Sequence, residues 1–550
     1  MTKFLLICSD SSLQFAISET LGSTDEVDLV AIDAESATRN NRIKQASADT
    51  VLLLDAQLPR RSNGPLDRQE QSALWLVQEL RKSGIATPAL FITSRALGVS
   101  ELDEYCTPDN RAIALPQLRL ASPVLQRFVD MLLRRPSSPK STWNVIEFDV
   151  KRTSVKCFLA NREGEIMEWA EASTRMFSAA HQLAIEYATP RFIPGWARRI
   201  HDDGRLLFRE LIIATLGPGL FSHLELAAGG LRNLAFRFRV EDVSLYCAPF
   251  EATVRLSGLP PMGTDDDFTQ SPFVLVNAPI ARRMNAANLY MVARSQQELR
   301  AARVLFIRSQ VGENQAGATG WDIARVPERD PETGRFRLSN FEFRRLENID
   351  RELSDLKSLA TKDCTIFNLE VLDLSARADP RGAEVLLKEE LTLNQYDVVH
   401  FAGHSLTTRD GLTLLLLPGG KPGQAEGMSV QDFADWAAAS GARLAYLSSC
   451  QGSSANAVAN LAQRGVAHVI GFRWDVDDDR AADFARYFYN DLFGKQSSSI
   501  CNAFRTACRG VYEPMHIEAS AIWASPILAC SADNWAAQSI RGPVGIEARV

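Results

Sequence analysis

The sequence lacks the marks of several common protein classes. Its nine cysteines are scattered, odd in number and include no C-x-x-C pair. This pattern indicates neither a zinc site nor a disulfide framework, so most cysteines are expected to be small buried hydrophobes in a reducing compartment. No metal ion or other cofactor is predicted.

An excess of positive charge and long apolar runs are absent as well. The net charge is −7 and the pI is about 5.7, which gives no basic footprint for direct nucleic-acid binding. Apolar runs such as "LTLLLLP" at 412–418 are far shorter than the ~20 residues that span a bilayer. The first residues, "MTKFLLICSDSS", show no small-residue cleavage site of a signal peptide. A cytoplasmic protein without a membrane segment is therefore predicted.

The length of 550 residues corresponds to roughly three or four domains of about 150 residues each. In the first block, 1–135, short β-type runs alternate with amphipathic helical stretches. This rhythm favours a flavodoxin-like α/β domain, a parallel sheet with helices on both faces. Strands are predicted at 3–8, 50–55, 88–93 and 111–116, and helices at 13–21, 71–84 and 124–135.

A linker, "PSSPKST" at 136–142, separates this block from a middle α+β region at 143–272. Alternation and the turn "NREGE" predict an antiparallel hairpin over 144–169. Helical patterns around 171–187 and 203–215 follow, and then a β-rich segment at 234–256. The region carries no motif of its own and is predicted to be the front part of the module that comes next, with a separate sensor as the alternative.

The last block, 273–550, returns to alternating strand and helix and predicts a second α/β sheet domain. Strands are predicted at 273–280, 302–309, 364–371, 397–404, 443–450 and 466–474. Helices are predicted at 346–360, 382–392, 429–440, 454–464 and 478–493.

Two of these strands end on reactive side chains. "YDVVHFAGHS" at 396–405 leads to His404, and "RLAYLSSC" at 443–450 ends on Cys450, 46 residues later (450 − 404). In parallel sheets, functional residues usually lie at the carboxyl ends of the strands. The single helix predicted between these two strands permits a right-handed crossover that would make them neighbours in the sheet. Neighbouring strands would bring the imidazole close to the thiol, which is the arrangement of a histidine-activated nucleophile that cuts acyl bonds.

Each of these residues also has a structural explanation. A single cysteine or histidine after an apolar run is more often part of the core, and His400 is predicted to be such a core histidine. The two strand ends are nevertheless bordered by small residues, including Gly403, Ser449 and Gly452. Small residues let a substrate backbone approach closely, so the pair favours a site over two unrelated core residues.

Three segments resemble the core of CHAT-domain cysteine peptidases, prokaryotic relatives of caspases, separases and metacaspases. They are "NQYDVVHFAGHS", "LAYLSSCQGSS" and "LAQRGVAHVIGFRWDVDDDR", which keep the family's order of His, Cys, a Gly-Val step and a Trp followed by acidic residues. "VEDVSLYCAPFEAT" at 240–253 is similar to the family's upstream Pro-Phe or Pro-Trp-Glu segment. The resemblance covers residues 230–530.

The resemblance implies a caspase-like α/β fold and a regulated cysteine endopeptidase. His404 would be the general base and Cys450 the nucleophile. The backbone N–H groups of Cys450 and Ser405 would form the oxyanion hole. Ser405 stands where the family often has glycine.

The acidic residues after Trp474 bear on specificity. Asp475, Asp477 or Asp478 could pair with an Arg or Lys side chain before the cut bond, although acids at a helix start are also favoured by the helix dipole alone.

By analogy with the family, the partners would be a protein substrate cut at limited sites and a protein or ligand activator, in a prokaryotic signalling or defence pathway.

The first block resembles a response-regulator receiver domain. "ADTVLLLDAQLP" places Asp55 at the phospho-acceptor position, and "TPALFITSRA" places Thr93 at the switch hydroxyl. Leu115 stands where the family has lysine, and Cys8 and Ser9 replace its acidic pair. Since a receiver needs those carboxylates for Mg²⁺ and that lysine for the phosphate, a pseudo-receiver with a docking or controlling role is predicted.

Two other functions remain open. One is a catalytically inactive signalling scaffold with receiver-like and caspase-like interaction domains. The other is a two-component regulator with a different effector, which the missing lysine and acids and the absence of a basic DNA-reading module disfavour. The His–Cys pair favours the peptidase, because a decayed enzyme has no chemical reason to keep both residues.

Overall fold

The structure is a computed structural model of the chain. It describes residues 2–21, 26–47, 49–62, 64–65, 70–93, 102, 105–116, 122–133, 143–151, 153–161, 166–173, 196–240, 242, 245, 248–255, 277–284, 301–312, 321–329, 333, 335–362, 367–375, 382–408, 412–421, 423–449, 455–473, 476, 478–494, 498–512 and 525–531.

The first block forms a five-stranded parallel sheet. Its strands are β1 (Lys3–Ile7), β2 (Glu26–Ala31), β3 (Thr50–Asp55), β4 (Ala89–Thr93) and β5 (Ala112–Pro116). The strand order is β2-β1-β3-β4-β5. β3 and β4 are buried along their whole length, as in parallel sheets covered on both faces. This order is the flavodoxin-like one, and it confirms the predicted α/β class.

Five helices accompany this sheet in the described residues: α1 (Ser11–Leu21), α2 (Ala34–Arg39), α3 (Asn41–Lys44), α4 (Gln71–Lys82) and α5 (Ser122–Leu133). α1, α4 and α5 match the predicted helices to within two residues at each end. β2 was not predicted. β2 is an edge strand, and edge strands often carry charged residues. The two carboxylates in its sequence, EVDLVA, interrupt the run of apolar residues by which a buried strand is recognised.

The strands that follow are β6 (Val145–Val150), β7 (Ser154–Ala160), β8 (Ile166–Ser173), β9 (Ala235–Val240), β10 (Ile280–Arg283), β11 (Ala302–Ser309), β12 (Trp321–Arg329), β13 (Phe336–Arg344), β14 (Phe367–Asp373), β15 (Val398–Gly403), β16 (Ser405–Thr407), β17 (Thr413–Pro418), β18 (Gln424–Ser429), β19 (Leu444–Ser449), β20 (His468–Phe472) and β21 (Pro526–Cys530). They form two sheets, the large sheet and the small sheet.

The large sheet has eleven strands in the order β14-β11-β15-β19-β20-β21-β10-β9-β6-β7-β8. β14, β11, β15, β19 and β20 are parallel, and β21 is antiparallel to β20. Strands of the middle region and of the last block therefore hydrogen-bond within one sheet. The boundary drawn between these two blocks stays a prediction.

Two predicted elements differ from the structure, one in the middle region and one at the start of the last block. β8 extends to Ser173, so the helix expected from residue 171 is wrong for 171–173; the rest of that helix lies outside the described residues. The strand expected at 273–280 is described only from residue 277, and the observed strand β10 begins at Ile280. In both cases the strand end is fixed by its sheet neighbour, which the local pattern does not reveal.

The remaining helices are α6 (Trp196–Leu207), α7 (Ala214–Ala227), α8 (Ile349–Lys362), α9 (Ala383–Leu393), α10 (Val430–Ala439), α11 (Ala455–Gln463), α12 (Asp478–Leu492) and α13 (Ile500–Gly510). The helices predicted for the last block match α8 to α12 to within three residues, and α13 was not predicted. Within the described ranges, no helix is both long and apolar enough to cross a bilayer.

The small sheet has the order β13-β12-β18-β17-β16 and encloses its own apolar core. That core includes Val326, Phe343, Leu406 and Leu416. No sheet was predicted here, and β18, which begins at Gln424, was not among the predicted strands. The sequence of β18, QAEGMS, has little strand propensity, and its pairing with β17 makes it a strand.

The first block packs directly against the middle region. The ring of Phe128 on α5 lies 5.4 Å from Trp143 and 5.4 Å from Trp169, measured between ring centres. His223 on α7 bonds through Nε2 to the carbonyl oxygen of Ala112 at 2.7 Å. The two parts of the chain thus share buried apolar contacts, although the linker predicted at 136–142 lies outside the described residues.

Candidate active site

β15 and β19 are neighbours in the large sheet, as the sequence predicts. They pair in parallel with Gly403 opposite Ser449, the last residue of each strand. His404 and Cys450 are the next residues along the chain and so follow the same carboxyl edge, where adjacent strands lie about 4.8 Å apart. Cys450 lies outside the described residues, and its distance from His404 stays a prediction.

His404 is buried and held through one ring nitrogen. Its Nε2 lies 2.6 Å from the carbonyl oxygen of Arg344, and its ring packs on Phe343 with 5.2 Å between ring centres. Since a carbonyl can only accept, Nε2 carries the proton and Nδ1 is the basic nitrogen. Nδ1 has no hydrogen-bond partner among the described residues. Burial lowers the pKa of the imidazole, which keeps it neutral and able to accept a proton.

Ser405 ties the two strand tips together. Its hydroxyl donates to Oγ of Ser449 at 3.0 Å. Ser405 lies opposite Leu415, and the N–H of Leu416 donates to the carbonyl of His404 at 2.9 Å. Because hydrogen-bonded pairs alternate along an antiparallel ladder, the backbone N–H of Ser405 points away from β17. This direction fits an oxyanion donor, and that role stays a prediction.

Gly403 permits a close approach of β15 to β11. A Cβ at this position would lie 2.7 Å from the carbonyl oxygen of Ser309 and 3.0 Å from its Cβ. Ser309 is fully buried, and its hydroxyl donates to the carbonyl of Leu416 at 2.7 Å. The glycine before His404 is thus required by packing, and it sets where His404 leaves the sheet.

Replacing Gly403 by alanine is expected to lower the free energy of unfolding by about 1–3 kcal/mol, because backbone atoms of β11 or β15 must move to admit the methyl group. Urea denaturation followed by tryptophan fluorescence measures this effect. Gly420→Ala is the matched control, since a Cβ there meets nothing within 4 Å. Equal stability of the two variants would contradict the packing argument.

His400, four residues before His404, is a core residue. Its ring stacks between Phe306 and Tyr446, with ring centres 4.7 and 4.5 Å away. Its Nε2 lies 3.2 Å from Oε1 of Glu352. Glu352 also accepts a hydrogen bond from the hydroxyl of Ser448 at 3.0 Å. This cluster joins α8 to β15 and β19 just below the strand tips, in agreement with the structural role predicted for His400.

A buried ion cluster holds the chain after β20. Glu251 accepts two hydrogen bonds from Arg282, at 2.6 and 2.7 Å, and also pairs with Arg473. All three side chains are at most 2% exposed. Burial alone would raise the pKa of Glu251, but the two guanidinium groups outweigh it and lower the pKa to about 2. Since Arg473 directly follows β20, the cluster fixes the backbone that leads to Asp475.

No role was predicted for Glu251, although it lies in the segment "CAPFEAT". The available signal was a carboxylate inside an apolar stretch, since a buried carboxylate requires a partner. Arg282 and Arg473 are 31 and 222 residues away, so their pairing with Glu251 follows only from the sheet order.

Asp478 is the described member of the acidic set predicted to bind substrate. Its Oδ2 accepts hydrogen bonds from the backbone N–H of Asn348 at 2.7 Å and from its side-chain amide at 3.2 Å. Burial raises the pKa of Asp478. These bonds join the start of α12 to the start of α8. Asp475 and Asp477 lie outside the described residues.

Asp55 is buried at the end of β3 in the first sheet. Its Oδ2 lies 3.8 Å from Sγ of Cys8, and burial raises the pKa of both groups, that of Cys8 to about 12. The hydroxyl of Thr93 donates to Oε1 of Glu70 at 2.7 Å. In the described part of the chain, no group of three or more His, Cys, Asp or Glu side chains could hold a metal ion. The switch-position hydroxyl is therefore bound to an internal carboxylate.

Comparison with known families gives one match. The family model described as CHAT domain matches residues 204–531, more than half of the chain. The matched range contains His404, Ser405 and Cys450, and it begins in the middle region, well before residue 273. No curated protein matches the sequence.

Two kinds of solved structure are similar to the chain at low identity. Gingipain R of Porphyromonas gingivalis, an Arg-specific cysteine proteinase, is 8% identical over 62% of this chain and 69% of that chain, with a TM-score of 0.32. Separase of Saccharomyces cerevisiae, in a complex with securin, is 9% identical over 74% of this chain and 31% of that chain, with a TM-score of 0.36. The chain thus spans less than a third of the separase chain, and similarity at these scores supports no conclusion on activity.

Proposed function

Because this chain belongs to the CHAT domain family, we propose that it is a cysteine endopeptidase in which His404 activates the thiol of Cys450. The observation that carries the proposal is the register of β15 and β19, which ends both strands at one edge of the sheet. The buried Nδ1 of His404, which lacks a partner among the described residues, supports it as the proton acceptor.

In the proposed reaction, Nδ1 of His404 takes the thiol proton of Cys450 while the sulfur bonds to the carbonyl carbon of the substrate. The N–H groups of Cys450 and Ser405 donate to the resulting oxyanion. The carbon–nitrogen bond then breaks, and His404 returns the proton to the leaving amine. Water, deprotonated by His404, hydrolyses the thioester and restores the thiol. The carbonyl of Arg344 orients the imidazole throughout.

For specificity, we propose that the acidic segment after β20 pairs with a basic side chain before the cut bond. The carboxylate of Asp478 already accepts two hydrogen bonds from Asn348, so Asp475 and Asp477 are the better candidates for this contact. The substrate would be a protein cut at limited sites, and a protein or ligand would activate the enzyme in a prokaryotic signalling or defence pathway.

For residues 1–135, we propose a pseudo-receiver that controls or docks the peptidase. Leu115, at the lysine position, is fully buried, and Thr93 is engaged with Glu70. Asp55 faces a thiol, which cannot supply the charge of a magnesium ligand at neutral pH. The contact of Phe128 with Trp169 offers a direct route from this domain to the large sheet.

Thiol alkylation tests the catalytic pair. Cys450 is expected to react with iodoacetamide faster than every other cysteine, because a histidine base raises its thiolate fraction. The reaction should slow on His404→Ala. Mass spectrometry of peptides taken at successive times gives the rate for each cysteine.

The other cysteines provide the background for this experiment. Six of them are buried, Cys8, Cys106, Cys157, Cys501, Cys508 and Cys530, and burial raises the pKa of Cys157 to about 12. Cys247→Ser and Cys364→Ser remove the two whose surroundings are not described. The catalytically inactive scaffold would be favoured if, in the wild type, Cys450 were labelled no faster than Cys247 and Cys364, and if His404→Ala left its labelling rate unchanged.

Co-expression with the proteins of neighbouring genes identifies the substrate. A partner is expected to be shortened by the wild-type chain and to stay intact with Cys450→Ala. A partner shortened equally by both would exclude Cys450 as the nucleophile.

A further inference from the structure

The hairpin formed by β12 and β13 has one buried face and one exposed face. Asp322, Ala324, Val326 and Glu328 of β12 are buried, and the residues between them are exposed. The exposed residues of β12 pair across the ladder with exposed residues of β13. The exposed set is Ile323, Arg325, Pro327 and Arg329 on β12 and Phe336, Leu338, Asn340 and Glu342 on β13. We call this set the hairpin face.

The hairpin face exposes large apolar side chains. Phe336 is 74% exposed, Leu338 71% and Ile323 40%. Leu338 lies opposite Pro327 and two residues from Phe336 on the same strand, so these three apolar residues are neighbours on one face, whereas Ile323 lies opposite Glu342. Clustered apolar exposure of this kind marks an interaction site more often than isolated apolar residues do.

β13 also presents an open edge. Among the described residues β12 is its strand neighbour, and β13 closes the order of the small sheet. The strand is nine residues long, whereas proteins usually keep exposed edges short or interrupt them. A long edge beside an apolar face is the geometry that accepts an added strand, in which main-chain hydrogen bonds give affinity and alternate side chains give specificity.

The charge of the hairpin identifies the partner. Residues 321–345 contain six arginines, all exposed, and five acids. Of these acids, Asp322 and Glu328 are buried, Glu342 is exposed, and Asp330 and Glu332 lie outside the described residues. The stretch thus has a formal charge of +1, six arginines minus five acids, in a chain whose net charge is −7, and the charges exposed in its described residues are mostly positive. An acidic partner would be attracted to this surface and repelled by much of the rest.

We propose that the edge of β13 and the hairpin face bind an extended acidic segment of a partner protein as an additional strand. Its apolar residues, one at every second position, would cover Phe336 and Leu338 on the hairpin face. The carboxylates between them would pair with Arg337 on the other face of β13 and with Arg335 just before this strand. A nucleic-acid ligand fits less well, because stacking on bases requires aromatic rings and Phe336 is the one aromatic residue of the hairpin face.

Peptide binding to the full chain tests this proposal. The probe is a fluorescein-labelled nine-residue peptide in which glutamate alternates with valine, and its lysine–valine counterpart serves as the comparison. Fluorescence anisotropy is expected to show binding of the acidic peptide alone, weakened by added salt. Arg337→Glu and Leu338→Ser are each expected to lower the affinity at least tenfold. Catalysis plays no part in this readout, so the peptidase proposal can fail without affecting it.

Two control variants distinguish binding at the hairpin from nonspecific binding elsewhere on the surface. Leu393→Ser removes a leucine that is 80% exposed on α9, and Arg42→Glu reverses an exposed charge on α3; both are expected to leave the affinity unchanged. Loss of affinity in these controls equal to that in the hairpin variants would overturn the proposal. Preferential binding of a single-stranded oligonucleotide, or equal binding of both peptides, would also overturn it.

Discussion

Replacing Glu251 by glutamine is expected to lower the free energy of unfolding by about 3–5 kcal/mol, because it leaves two buried arginines without their counter-charge. Arg282 and Arg473 approach this carboxylate from two strand ends of the large sheet. The loss should appear as a shift of the urea midpoint. The control is Glu79→Gln, which breaks a surface pair with the exposed Lys82 and should cost no more than about 1 kcal/mol.

The same cluster makes stability depend on pH. The folded-state pKa of Glu251 is about 2, below its ordinary value of 4.5, so its stabilising contribution is complete above pH 4.5 and is lost as the pH falls toward 2. The contribution is about 3 kcal/mol when the shift is converted at 1.36 kcal/mol per unit. Wild type and Glu251→Gln should therefore approach each other in stability as the pH falls from 5 to 2. A constant difference across that range would refute the ionised state of Glu251.

Replacing His404 by alanine is expected to lower kcat/KM by about 10²- to 10⁴-fold, the usual contribution of a general base. In the wild type, burial lowers the pKa of His404 below its usual value of 6.5, so the neutral, basic form persists into mildly acidic solution. The acid limb of the pH profile of kcat/KM should accordingly lie below pH 6.5. The profile is measured on the protein that co-expression identifies as the substrate.

His223→Gln is the control for this profile. His223 is also buried and bonded to a backbone carbonyl, and glutamine can donate a similar bond. The acid limb should not move in this variant. If His223→Gln moved the acid limb and His404→Ala did not, the titrating group would be His223. His404 would then lose its support as the general base.

The elements that carry the candidate site could be predicted from the sequence because they are apolar throughout. β15 and β19 are buried at every position, so each appears as a continuous hydrophobic run that stops where the sheet stops. The residues after these runs, His404 and Cys450, stand out for that reason. One helix between the runs then limits the topology to adjacent parallel strands.

The small sheet could not be predicted because its buried face is partly ionic. Asp322 accepts the N–H of Gly312 at 2.5 Å, and Glu328 accepts the hydroxyl of Ser339 at 2.6 Å. Carboxylates at core positions erase the alternation by which a half-buried strand is recognised. The partners that make their burial tolerable lie in other segments, and a local pattern carries no information about them.

The group that orients His404 was also beyond sequence reasoning. It is the carbonyl of Arg344, a backbone atom present at every residue, so no residue type marks it. Its position depends on where β13 ends. The sequence therefore predicted the two residues of the candidate site but not the hydrogen bond that selects which imidazole nitrogen of His404 is basic.

His404 lies where the large sheet meets the small sheet, and both sheets fix its position. Its backbone continues the large sheet, whereas the oxygen that fixes its ring belongs to the small sheet, which has a separate core of few residues. Opening of that small core alone would free the ring while the rest of the protein stayed folded, and local opening requires less free energy than global unfolding. We therefore expect the fraction of molecules in which the His404 ring is correctly oriented to depend on the stability of the small core, and to fall on warming before the chain unfolds.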